Sequence, residues 1–192
     1  MKVKILRFFV CMIAMLIVGV MRVSLADSSP AVEIGGEYFT IANIWYEYPE
    51  KILSTNFHKG AMIPVGTKVI IDYYGGTKIK FTGVNDETKY VYIHAMKHSK
   101  IKLNELFNRY FSKEDPMTPG GAFSKFTIEE QDNIKNGTLD VGMSKEATLM
   151  AYGYPPTHRT PSLKNNVWTY WRARAGRFLV TFRDDKISNI QY

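Results

Sequence analysis

One cysteine, Cys11, is all that 192 residues contain. A single thiol excludes a disulfide framework and any zinc site built from cysteine pairs, so stability must come from a hydrophobic core. Long apolar stretches are scarce as well. The main one, Phe8 to Met21, has 14 residues, against the about 20 that a helix needs to cross a bilayer. There is no repeat of solenoid period and no long low-complexity tract. Acidic residues are missing from the first 26 positions, whereas Lys2, Lys4, Arg7 and Arg22 are basic.

That uneven charge gives the first positive reading. A basic start, an apolar run and the small residues of Ser24-Leu25-Ala26 describe a secretory signal, so residues 1–26 are expected to be cleaved before Asp27. Arg22 closes the apolar run, and no transmembrane span is expected in the mature chain. Cys11 follows Val10 rather than a small residue, so a lipid anchor is not expected. Without this segment the chain carries 21 basic against 18 acidic residues, and the net charge falls from +7 to +3. A nucleic-acid partner loses its electrostatic basis. The expected location is the periplasm or the periplasmic face of an outer membrane.

About 166 mature residues suffice for one or two small domains. Pro116, Pro119, Gly120 and Gly121 interrupt any regular pattern, and residues 116–121 read as a linker between a strand-rich domain at 27–115 and a second domain at 122–192. In the first, Tyr38–Tyr46, Lys68–Tyr74, Lys78–Thr82 and Lys89–Met96 are dense in β-branched and aromatic residues, with Gly75-Gly76 as a hairpin turn. Leu103, Leu106, Phe107, Tyr110 and Phe111 form one apolar helical stripe that would close over a sheet face.

The second domain opens with two short helices. Thr127 and Glu130 form a capping-box pair before Gln131–Asn136, and Gly137 ends that helix. Ser144 caps the next, whose Met143, Ala147, Met150 and Ala151 share a side until Gly153 and Pro155 stop it. Strands at 167–173, 177–183 and 186–190 follow, with Trp168 and Tyr170 on one face and turns at Arg174-Ala175-Gly176 and Asp184-Asp185. The fold class expected is α+β.

The succession Gly142-Met143-Ser144-Lys145-Glu146, a helix, Tyr152-Gly153-Tyr154-Pro155, Trp168-x-Tyr170, Phe178–Phe182 and Lys186–Ile190 resembles the SmpA/OmlA family of outer-membrane assembly lipoproteins, over residues 127–192. The resemblance implies a periplasmic, non-catalytic module of two helices on a three-stranded antiparallel meander. It also implies an envelope protein partner, anionic phospholipid head groups, or both, as what the module binds. The chain departs from that family in its extra N-terminal domain and in lacking an anchored cysteine.

Catalytic patterns are incomplete. Ser99-Lys100-Ile101-Lys102 has the Ser-x-x-Lys spacing of penicillin-binding enzymes without their companion motifs. His94 and His98, on a continued strand, would stand about 13 Å apart, too far to share one ion. His58 and His158 sit in loop contexts with no partner visible along the chain. Glu129-Glu130 and Asp184-Asp185 read as a helix first turn and a hairpin tip. No catalytic, cofactor or metal residue is assigned. What remains is a binding constellation: Arg172, Arg174, Arg177 and Arg183 on the meander beside Trp171, suited to a partner carboxylate or a lipid phosphate. A cell-wall-binding protein, or a cell-wall enzyme with its site in the N-terminal domain, is the alternative.

Overall fold

Where apolar and charged residues alternate in the first half, the chain forms strands whose buried positions share one face. The computed structural model describes residues 31–55, 57–172 and 176–192; residues 1–26, expected as a signal, with Cys11, and Arg174 lie outside the described residues. The strands are β1 (Glu37–Thr40), β2 (Ile44–Tyr46), β3 (Ile52–Leu53), β4 (Ala61–Ile63), β5 (Lys68–Gly75), β6 (Lys78–Gly83) and β7 (Lys89–Ile93). Helix α1 (Leu103–Tyr110) and the short β8 (Phe111–Ser112) complete this half. One sheet runs β3-β7-β6-β5-β1-β8, antiparallel except for the β3–β7 pair, and β2 pairs with β4 separately. Val69, Ile71, Ile79, Phe81, Tyr90 and Tyr92 point to the same core, which Leu106, Phe107 and Tyr110 of α1 cover. The apolar stripe of α1 is core packing.

Several boundaries differ from the sequence expectation, among them the first meander strand, which ends at Trp171 rather than at 173, and three in the first half. The stretch 38–46 is two strands, because the Asn43 N–H leaves the sheet to bond the carbonyl of Met150, 2.9 Å away. Strand β7 ends at Ile93, where the chain turns through hydrogen bonds from Met96 N–H to His94 O and from His98 N–H to Ala95 O. Phe111 is not helical but pairs with Thr40 as part of β8.

In the second half, a 3₁₀ turn at Phe123–Lys125 precedes α2 (Ile128–Asn136) and α3 (Lys145–Tyr152). Both arms of the Thr127–Glu130 capping box are formed, and Gly137 ends α2 at φ +64°, a left-handed position that costs glycine little. Ser144 Oγ accepts the Ala147 N–H to start α3. The strands β9 (Val167–Trp171), β10 (Arg177–Arg183) and β11 (Lys186–Gln191) make an antiparallel meander in the order β11-β10-β9. Asp184 and Asp185 both take positive φ in the two-residue turn between β10 and β11, a turn that follows the strands' twist. Trp168, Tyr170, Phe178, Val180 and Phe182 face Ile134, Ala147 and Ala151 of the helices in a second core. The architecture is mixed α+β, and no helix among the described residues is long and apolar enough to cross a membrane.

Residues 31–192 form one compact unit. The segment expected as a linker folds into successive turns: Asp115 Oδ1 accepts Met117 N–H, Thr118 O accepts Gly121 N–H, and Pro116 O accepts Phe123 N–H. Val65 of the first half sits in the second core, and Tyr154 of the second half packs on the first.

The end of α3 shows why the halves interlock. The last four carbonyls of a helix lack intrahelical donors. Gly153 N–H supplies one, to Leu149. Tyr154 N–H goes instead to the Tyr110 hydroxyl, and residues 155 and 156 are prolines with no N–H to give. The first half fills the gap: Asn43 N–H bonds Met150 O, Asn43 Nδ2 bonds Ala151 O at 2.9 Å, and His58 Nε2 bonds Tyr152 O at 2.5 Å. Asn43 Nδ2 also bonds Ile134 O of α2, while its Oδ1 accepts Val65 N–H, both at 2.7 Å.

Candidate functional site

His58 anchors a cleft where the two halves meet. Its ring stacks on Tyr152 with centroids 3.4 Å apart, and the edges of Trp45 and Tyr170 approach at 5.5 and 5.7 Å. Burial pushes its pKa down to about 4, against the pull of the Tyr152 and Trp171 carbonyls toward the protonated form. At neutral pH the ring is therefore neutral and donates to only one of the two carbonyls its nitrogens face, Tyr152 O at 2.5 Å from Nε2 and Trp171 O at 3.1 Å from Nδ1. Its own backbone N–H bonds Trp171 O at 3.1 Å, and Phe57 bridges to Trp171 in parallel. His58 thus fixes the end of β9 against the first half.

Beside this anchor lies a cleft of about 710 Å³. Trp45 and Tyr46 reach it from β2, Tyr48, Thr55 and Phe57 from the loops around β3, and Trp171 from the end of β9. Lys51, Lys59, His98 and His158 are the basic groups on its walls, and Glu47 is held by Lys59. That ion pair is exposed at both ends and contributes little to stability. Tyr48, 59% exposed, stands at the rim.

Among the described residues, four covered side-chain polar atoms have no hydrogen-bond partner, and three belong to residues of this cleft: Trp45 Nε1, Trp171 Nε1 and Thr55 Oγ1. A covered donor left unpaired costs about 1–3 kcal/mol, so such groups are few in folded proteins. The larger groove, about 1100 Å³ beneath residues 112–122, is different. There Glu130 accepts the N–H groups of Ser144 and Thr127, and Arg109 is held by Glu105 and the Tyr154 ring. Glu130 and Arg109 are thus engaged by the fold, while Glu114, Lys125, Glu146 and Lys186 also line this groove.

The described arginines of the sequence constellation do not form one patch. Arg177 pairs with Trp171 across the sheet and shares its outer face. Arg172 lies over the rings of Tyr192 at 3.8 Å and Phe178 at 5.7 Å. Arg183 sits six residues along β10 from Arg177, about 20 Å at strand rise. Among the described residues of that set, Trp171 is the one that lines the cleft.

The histidines were the least legible residues. His94 is buried with Nε2 on Ile101 O, and His98, in the turn after β7, meets His158 rather than His94. Their ring centroids are 5.0 Å apart, and His158 stacks toward Trp171 at 6.4 Å. Ser99 is buried, and Lys102 is the residue before α1. No group of three or more histidine, cysteine or acidic residues able to hold a metal is present among the described residues. No protein-family model, no curated protein and no solved structure matches this chain.

Proposed function

We propose that this chain is a non-catalytic binding protein of the bacterial envelope and that its partner docks in the aromatic cleft at the junction of the two halves. The carrying observation is the aromatic wall of Trp45, Tyr46, Tyr48, Phe57 and Trp171 around the cleft. Large aromatic side chains around a desolvated pocket are the usual anchors of a protein interface. The basic, apolar and small-residue order of residues 1–26 supports export. The two helices on a three-stranded meander are in keeping with the SmpA/OmlA resemblance and its envelope partners. Anionic lipid is the second partner class, resting on Arg177 beside Trp171.

Affinity capture from envelope extracts tests the reading. Tyr48→Ala and Trp171→Ala, each checked for a wild-type melt, should lose the captured protein, with affinity falling at least tenfold for a buried anchor worth about 2 kcal/mol. Arg177→Gln with Arg183→Gln should retain it. Equal capture by all variants rejects the cleft, and loss confined to the arginine variant, with loss of anionic-vesicle binding, transfers the site to the outer face of the meander.

A further inference from the structure

We propose that His98 and His158 form a binding site for a divalent late transition-metal ion at the wall of the cleft. The two rings come from positions 60 residues apart and are brought together by the backbone: His98 O accepts both the N–H of His158, at 3.2 Å, and its Nδ1, at 3.0 Å. A carbonyl can only accept, so Nδ1 carries the proton, and the lone pair of the neutral His158 ring is on Nε2. A metal-binding imidazole is prepared in this way, with its far nitrogen held by a carbonyl and its near one free to ligate.

The spacing also fits. With metal–nitrogen bonds of about 2.0–2.1 Å and each ring centre about 1.1 Å behind its nitrogen, two imidazoles on a tetrahedral ion have centres about 5.2 Å apart. The observed separation is 5.0 Å, with the ring planes inclined at 52°. His158 is exposed and His98 partly so, and both line the cleft, which gives an ion entry and leaves its remaining positions open to solvent or to a cleft ligand. Imidazole donors suit copper, nickel and zinc, with Cu²⁺ bound most tightly of the three. The proposal does not depend on what the cleft binds.

Calorimetric titration of the untagged chain with Cu²⁺ alone, and separately with Zn²⁺ alone, tests it. One ion per chain should bind, Cu²⁺ tighter than Zn²⁺, and Cu²⁺ should quench part of the tryptophan fluorescence because Trp171 lies 6.4 Å from the His158 ring. His98→Ala is the decisive variant. It removes one ligand but keeps the backbone carbonyl that holds His158, so the fold is preserved and affinity should fall at least tenfold. His158→Gln should do the same, with circular dichroism confirming a wild-type melt. Unchanged affinity in His98→Ala, or in the double variant, overturns the proposal, as does the absence of saturable binding by the wild-type chain.

Discussion

Replacing Asn43 with alanine tests whether one side chain joins the two halves. Asn43 is fully buried and makes three side-chain hydrogen bonds, to Ile134 O, Ala151 O and Val65 N–H. Ile134 O keeps a second donor, Gly137 N–H, at 3.3 Å. Ala151 O does not gain the N–H four residues on, because that residue is Pro155, and Val65 N–H loses its acceptor. Two buried groups are then unpaired at about 1–3 kcal/mol each, so a loss near 4 kcal/mol is expected. Domains are typically stable by about 5–15 kcal/mol, so this is a large fraction of the total. For a chain of this size it lowers the melting temperature by about 8–16 °C. Urea and thermal melts followed by circular dichroism measure it. Asn43→Asp should be no better at neutral pH, since it turns a carboxylate oxygen toward two carbonyls. Exposed Asn189→Ala should stay within about 0.5 kcal/mol of wild type. An Asn43→Ala loss below about 1 kcal/mol would refute the reasoning.

Two further outcomes follow from the same junction. His58 should make the chain acid-sensitive: its folded pKa of about 4 lies below the ordinary 6.5, so the unfolded chain takes up the proton first as pH falls. The stability it protects is whole above about pH 6.5 and is lost on the way down to about 4, amounting to about 3 kcal/mol. The stability gap between wild type and His58→Gln should therefore shrink by about that much between pH 7.5 and pH 4, and a constant gap in urea melts counts against it. A fragment of residues 120–192 should lack a cooperative melt and a near-ultraviolet dichroism signal, because the carbonyls of Met150, Ala151 and Tyr152 lose their donors. Cooperative unfolding of that fragment would show that the second core stands alone.

Much of the fold was legible because its signals are local. The Thr127–Glu130 box, Gly137 and the Asp184-Asp185 turn each act over a few residues, and the burial of Trp168 and Tyr170 follows from strand alternation alone. The candidate site was less so. Trp171 is marked in the sequence by the arginines beside it, but those arginines are grouped by sequence distance, whereas a strand carries Arg183 about 20 Å from Arg177. His58 and His158 seemed partnerless because their partners, Tyr152 and His98, are 94 and 60 residues away.

By itself the sequence determined the three helices and the longer strands with the faces they bury, since propensity, capping and period are properties of neighbouring residues, whereas the short strands β3, β4 and β8 depend on distant pairing partners. It also held the need for outside donors at the end of α3, in the two prolines at 155 and 156. Only the tertiary structure decided who meets that need. Asn43 and His58 are ordinary loop and strand-end residues until the chain folds back, because a hydrogen bond requires an acceptor within about 3 Å, and no local pattern records what will stand there. The cleft, the His98–His158 pair and the union of the two halves are all consequences of that closure.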